Sequence, residues 1–581
     1  MSQLKQKVGS YLIQRLYDHG VRHIFGVPGD FVLGFYQELV QSNKLKVINT
    51  CDEQGAGFAA DAYARINGLG VVCVTYCVGG LKVVNAVAQA FAEKSPLVVI
   101  SGAPGIRERR RNPLLHHKVK DFDTQQRIFE HITIDSILLD NQTTAAKNID
   151  RVLSSAIRYK RPVYIELPRD ILSASTNIYQ EYYGDSSTYP ESTGVEEEEG
   201  EAEDEEYETD ITSMEEALSE AITMINSSKQ PVIVAGVELH RFRLQDKLLQ
   251  LIDKTNIPVV STVLSKSVIS EHHPSYLGVY EGAMGYQSIR EYVESSDCLI
   301  LLGALMTDID FGISPTPIEQ SRSIYVTSEK LSIKHHSFEN ISLEDFLTGL
   351  IETPLVRKEF VNIGRQGIVN NDNHYHDNNK HKRFSAARNQ KITVQRLFER
   401  LNLSITDNTV VIADVGDSLF GALDLTIHSQ SDFLSPAYYL SMGFAVPASI
   451  GAQLANLRLR PIVIVGDGAF QMTGMEVSTI ARFNLNPIII VLNNRGYETE
   501  RTILDGPFND ILPWNYSQIP ELIGGYGKGF VIETEEQLEE SLSAVEKNYS
   551  QELCILDVHL DIHDGSQALQ RLTEVLTKKV H

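Results

Sequence analysis

Cysteine is scarce: Cys51, Cys73, Cys77, Cys298 and Cys554 are the five in 581 residues. That number and scatter exclude a disulfide framework and a cysteine-based zinc site, and imply a reducing compartment. Cys73 and Cys77 stand four apart in one apolar run and are expected to be buried thiols on one face of a strand. Long apolar runs are also missing. No stretch approaches the roughly 18 to 20 uncharged apolar residues that span a bilayer. The N-terminus, MSQLKQKVGSYLIQRLYDHGV, lacks the apolar centre of a signal peptide and reads as an amphipathic helix. A cytoplasmic protein with no membrane contact is expected. Basic clusters are few: 52 Lys and Arg face 76 acids, net charge −24, and Arg107, Arg109, Arg110 and Arg111 form the one dense basic run. Nucleic-acid binding as the main role is thereby disfavoured, since phosphate neutralisation needs clustered cations. The run itself reads as a solvated or phosphate-facing loop.

What is present is ordinary for a multi-domain globular chain, with 42% hydrophobic and 22% charged residues. Short apolar runs such as VVCVTY (71–76), LVVISG (97–102), PVIVAG (231–236), CLILLGA (298–304), VVIADVG (410–416), PIVIVGDG (461–468) and PIIIVLNN (487–494) alternate with helical patterns. They are continuous rather than alternating, as for strands covered on both faces, so the fold class is α/β: three doubly wound parallel-sheet domains. Two polar segments set the boundaries. Residues 185–210 carry thirteen acids and no Lys or Arg, and NNDNHYHDNNKH (370–381) is rich in Asn and His. Both read as linkers; a metal site from His374, His376 and His381 lacks a fixed ligand frame. The expected units are 1–184, 211–355 and 390–581, separated by 185–210 and 356–389, and the first and third are candidates for one shared architecture.

The segment GDGAFQMTGMEVSTIARFNLNPIIIVLNNRG (466–496) carries the most chemistry. Gly466 and Gly468 flank Asp467 just past a buried strand, where side-chain-free backbone and a helix start admit a phosphate. Twenty-seven positions on, Asn494 ends the next strand at the same sheet edge. A carboxylate, an amide oxygen and the Gly496 carbonyl are hard ligands suited to Mg²⁺ that takes its remaining oxygens from water and a diphosphate. A dinucleotide loop would need a third glycine where Gln471 stands.

With GDG followed by NN at this spacing, the sequence resembles the thiamine diphosphate-dependent 2-oxo acid decarboxylase family, in its pyruvate, indolepyruvate and phenylpyruvate branch. The resemblance runs from Tyr11 to about Leu560 and includes GFAVPASIGAQ and PFNDI. It implies thiamine diphosphate and Mg²⁺ as cofactors, bound between the C-terminal domain of one subunit and the N-terminal domain of another, hence a homodimer or a dimer of dimers. It places Glu53 (in TCDEQGAG) at the aminopyrimidine, where a buried carboxyl shares its proton with the ring nitrogen. FGVPGDF supplies Asp30, PLLHHK supplies His116 and His117, and YETE supplies Glu500, the acids and bases of the protonation step. Met442 stands where a large apolar residue props the thiazolium against the pyrimidine, and the Leu440 carbonyl where it accepts from the 4′-amino group. Gly466, Asp467, Gly468, Ala469, Asn494 and Gly496 line the diphosphate and metal. Asp417 takes a place beside the diphosphate that is commonly a hydroxyl residue's, where an anion is unfavourable unless it points away or binds a cation, and Thr499 one that is commonly a bulky aliphatic's.

The implied activity is non-oxidative decarboxylation of a small-molecule 2-oxo acid to an aldehyde, with aromatic acids such as phenylpyruvate or indolepyruvate favoured over pyruvate. One rival is a carboligase, in which the activated carbon attacks a second carbonyl instead of taking a proton. The other is a non-catalytic binding homologue, whose mark would be loss of Glu53 or of the metal ligands.

Overall fold

The computed structural model describes residues 4–178, 209–310, 319–359, 384–428 and 432–572. The acidic stretch 185–208 and His374, His376 and His381 lie outside the described residues.

The continuous apolar runs become the centres of three sheets. Gly70–Val74, Leu97–Ala103, Pro231–Ala235, Cys298–Leu302 and Ile488–Asn493 are buried along their whole length, as β-branched runs must be when helices cover both faces. In the N-terminal sheet the spatial order is Lys46–Asn49, His23–Gly26, Gly70–Val74, Leu97–Ala103, Val163–Pro168, Asp135–Leu138. In the C-terminal sheet it is Asp432–Leu434, Thr409–Ala413, Arg460–Gly466, Ile488–Asn493, Cys554–His559, Lys528–Ile532. Both sheets are wholly parallel. Counted along the chain both read 2-1-3-4-6-5, so the first and third units share one topology. Each has its switch point beside its first strand, and an open parallel sheet offers its ligand crevice there, at the strands' carboxyl ends.

The middle sheet departs from the all-parallel expectation. Five parallel strands, Tyr276–Val279, Val259–Ser261, Pro231–Ala235, Cys298–Leu302 and Ser323–Val326, are extended by antiparallel Leu331–Ile333 and His336–Phe338. A further antiparallel ribbon pairs Leu4–Lys7 with Ser175–Ile178, ahead of the expected N-terminal helix, Val8–Asp18. All five cysteines are free and four are buried. Cys73 lies in a strand, but that strand ends at Val74 and Cys77 sits beyond it in a turn at φ 50°, so the two do not share a strand face. Parts of the expected 356–389 linker are built into the fold: Val356 N–H donates to Asn226 Oδ1 (2.8 Å), and the Arg396 guanidinium covers the Phe384 ring at 4.4 Å. No helix among the described residues is long and apolar enough to cross a membrane.

One hydrophobic cluster joins the first and third units, with helix Glu53–Asn67 against helix Ala445–Ala455. The seam is lined by Gly and Ala, and a Cβ on Gly451 would overlap the Ala59 carbonyl oxygen. Beside it lies a buried polar network. Arg65 pairs with Asp61 (2.8 Å) and Glu93 (2.7 Å), and the other Glu93 oxygen accepts the Tyr438 and Tyr439 N–H groups (both 2.9 Å). A charge-assisted network with its polar atoms satisfied fixes one arrangement of packed elements, here the loop that leads to Leu440 and Met442.

Candidate active site

Three groups of side chains gather at carboxyl ends of strands. The first follows strand His23–Gly26. Asp30 Oδ2 lies 2.7 Å from His116 Nε2, and Asp30 Oδ1 lies 3.8 Å from His117 Nε2. Consecutive residues in extended backbone point to opposite sides; His117 adopts φ 66°, and both rings turn to one carboxylate. Phe31 backs the pair, stacked on His116 with centroids 4.8 Å apart and edge-on to His117. The imidazoles and carboxylate are partly exposed, at 59, 30 and 44% of their side chains. Of the arginine run before them, Arg109 reaches back to buried Glu166 while Arg110 and Arg111 are exposed.

The second group follows Lys46–Asn49. Asp52 caps helix Glu53–Asn67 by accepting from Gln54 N–H (2.8 Å), which puts Glu53 in the first turn, 14% exposed at its side chain. Lys82 Nζ stands 3.3 Å from Glu53 and also pairs with Asp52. Glu476, from the C-terminal unit, accepts the N–H groups of Cys51 and Asp52 (both 3.1 Å). A Cβ on Gly55 would run into this carboxylate.

The third group lies at the end of Arg460–Gly466. Asp467 is fully buried; Oδ1 accepts Gly468 N–H (2.8 Å), and Oδ2 accepts those of Arg495 (2.6 Å) and Gly496 (3.2 Å). Burial pushes its carboxyl up to about 6. Asn493 turns into the sheet and donates to Asp557 (2.8 Å), whereas Asn494 faces the site. Asn494 Nδ2 donates to Glu498 (2.6 Å), and its Oδ1 is buried without a partner. Such an oxygen is costly unless something binds it. Ala469 is buried beside these groups, and a Cβ on Gly466 would meet nothing within 4 Å, so there is room at the helix start. Hard oxygens around open space at a helix start fit a divalent cation carrying a diphosphate.

Around this group the fold holds its loops tightly. Asp414 accepts the N–H groups of Gly443 (3.0 Å) and Ala445 (2.8 Å), while Asn85 of the N-terminal unit donates to Ser441 (2.6 Å). Between these anchors Leu440 takes φ 58° and Met442 packs half-buried on the shared core. Asp417 is engaged through its carboxylate by the C-terminal segment. Both of its oxygens are taken up by Ser566, through its N–H (2.9 Å) and its hydroxyl, so its carboxylate holds the C-terminal segment. Glu500 is exposed in the first turn of helix Glu498–Ile503. Among the described residues no hydrogen bond or ion pair links Asp30, His116, His117 or Glu53 to Asp467 or Asn494.

Glu476, Glu93, Asp414, Asn85 and Glu498 escaped the sequence reading. The partners of Glu476, Glu93 and Asn85 lie 345 or more positions away; Glu498 stands only four residues from Asn494, inside YETE, where its place beside Glu500 does not tell which side chain it bonds. Glu498 is the most perturbed: burial, then Asp417 nearby, pushes its carboxyl up to about 9. Burial also raises Glu281 to about 7. An unfolded Glu titrates at about 4.3. The folded protein therefore keeps protons that the unfolded chain has released, and that stabilisation is lost as pH rises through the folded values. Buried histidines, which are neutral in both states above about 7, do not oppose this. The melting temperature of cofactor-free protein is expected to fall between pH 7 and 8.5 in scanning calorimetry; a level or rising trend would contradict these protonation states.

Models of the thiamine pyrophosphate enzyme match the chain in three parts: the N-terminal TPP binding domain over residues 6–127, the central domain over 218–345 and the C-terminal TPP binding domain over 414–558. An indole-3-pyruvate decarboxylase of Azospirillum brasilense is 33% identical over 528 residues, 90% of each chain. An alpha-keto-acid decarboxylase of Mycobacterium leprae is 31% identical over 574 residues, 97% of this chain and 95% of that one. Pyruvate decarboxylase 1 of Pisum sativum is 29% identical over 573 residues, 97% and 92% respectively. Three matched domains in order, with relatives aligned along nearly the whole length, make this chain a member of the thiamine diphosphate-dependent 2-oxo acid decarboxylase family.

Proposed function

We propose that the protein converts a 2-oxo acid to the aldehyde and CO₂ without oxidation, using thiamine diphosphate and Mg²⁺ in a homodimer or dimer of dimers. The observation that carries this reading is the Asp30, His116 and His117 set, 2.7 and 3.8 Å across, whose geometry depends on a left-handed residue. Titratable groups within hydrogen-bond reach, as Asp30 and His116 are, move protons, and the step that separates an aldehyde product from a condensation product is delivery of a proton.

When bound, thiamine diphosphate would supply a nucleophilic thiazole carbon for the 2-oxo carbonyl and a positively charged ring that takes up the electron pair left by departing CO₂. Asp467, Asn494 Oδ1 and the Gly496 carbonyl hold Mg²⁺; Gly466, Gly468 and Ala469 give the diphosphate its approach to the helix start. Glu53, screened from water but for 14% of its side chain, shares a proton with the pyrimidine nitrogen. Met442 and the Leu440 carbonyl shape the cofactor from the anchored loop. His116 and His117, oriented by Asp30, and Glu500 bind the substrate carboxylate and return a proton to the product carbon. Asp417 stabilises the wall behind the diphosphate through Ser566.

Exposed apolar side chains beside these groups support the oligomer: Leu114 (97%) next to the histidine pair, Met472 and Met475 after Asp467, and Phe508 and Leu512 after Glu500. Large exposed apolar side chains close in sequence to site residues suit a surface that another chain covers. Free cysteines suit the cytoplasm. Aromatic substrates are supported by the Azospirillum relative and by Thr499, small enough to leave space. A panel of phenylpyruvate, indolepyruvate and pyruvate, with thiamine diphosphate and Mg²⁺ supplied or withheld, tests the reading. Aldehyde and CO₂ in equal amounts are expected only with both cofactors, with kcat/KM highest for an aromatic acid. Mainly acyloin, with or without added aldehyde, would favour the carboligase, and no turnover of any acid the binding homologue.

A further inference from the structure

A side-chain amide is nearly symmetric in shape and opposite in polarity at its two ends. If Asn494 is to serve a cation it must present oxygen; turned over, it would present two N–H groups and repel the ion. Something must fix the choice. Among the described residues the one side chain bonded to the Asn494 amide is Glu498, whose Oε2 lies 2.6 Å from Nδ2. Glu498 is itself 5% exposed, and its second oxygen, Oε1, has no partner. Gly565 leaves the room this carboxyl occupies, since a Cβ there would stand 2.9 Å from Oε1. The Asn494 backbone is held separately, its carbonyl accepting from Arg501 Nη1 (3.0 Å). The backbone and the amide thus have different anchors.

We propose that Glu498 is a positioning residue of the metal site: by accepting the Asn494 amide hydrogen, it fixes Oδ1 toward the ion. This rests on the reading of Asp467, Asn494 and Gly496 as metal ligands. A residue that orients a ligand in this way typically changes metal affinity by about 10- to 100-fold when lost.

The test is titration of the full-length protein, freed of ligands, with Mn²⁺ by electron paramagnetic resonance, with and without thiamine diphosphate. Glu498→Leu, which removes the acceptor, should weaken Mn²⁺ binding by about 10- to 100-fold. Glu498→Gln, whose amide oxygen can still accept, should stay close to the parent. In an Asn494→Asp background, where both ends of the side chain are oxygen, Glu498→Leu should change little. Parent-like Mn²⁺ affinity in Glu498→Leu would overturn the proposal, and so would an equal loss in both backgrounds, which would mean that Glu498 acts through charge or folding. If melting shows Glu498→Leu to be poorly folded, Glu498→Ala takes its place in the same comparison. Failure of the underlying reading looks different: the parent itself would bind no Mn²⁺, or Asp467→Asn would bind it unchanged.

Discussion

Glu53→Gln is expected to lower turnover of the best 2-oxo acid by about 10²- to 10⁴-fold, the range lost with a positioned general acid or base. Cofactor uptake should persist. Glutamine keeps the size of the side chain and its place in the first turn after Asp52, so the helix start and the Glu476 clamp on Cys51 and Asp52 remain. What goes is a carboxyl able to give and take a proton beside Lys82. Turnover measured with saturating thiamine diphosphate and Mg²⁺, beside calorimetric binding of both, separates the two effects. A variant as active as the parent would remove Glu53 from the chemistry.

Asp467→Asn is expected to abolish calorimetric uptake of thiamine diphosphate in the presence of Mg²⁺, and with it all activity. The folded state without ligands should persist. A carboxyl that burial pushes up to about 6 is an unfavourable charge at pH 7.5, and asparagine relieves it while still accepting from Arg495 and Gly496, but its amide hydrogens then face the Gly468 N–H, so one gain and one loss oppose each other. The parent should gain stability from cofactor, about 2.7 kcal/mol when ligand stands at 100 times Kd. The variant should still melt cooperatively without ligand and show no such gain with it. A ligand-induced rise in melting temperature equal to the parent's would dislodge Asp467 from the metal site.

Legibility in the sequence followed physical distance along the chain. The central strands were plain because burial on both faces leaves uninterrupted β-branched runs, and the Asp467 to Asn494 pattern because successive parallel strands carry both residues to one edge. Leu331–Ile333 and His336–Phe338 were not, since a strand of three residues is too short to show such a run. Glu93 and Glu476 bind backbone groups 345 or more positions away, and neither has a pattern that betrays its partner. Asp417 was read beside the diphosphate by its place in a motif; the side chain turned to Ser566, 149 residues on, which the motif does not contain.

Gly451 shows how narrow a tolerance this architecture sets. The first and third sheets meet through helices whose backbones approach until one hydrogen stands where any other amino acid would put a carbon. Even Gly451→Ala, the mildest replacement available, would act as a wedge in that joint, prising apart the helix that begins at Glu53 and the helix that carries Gly451.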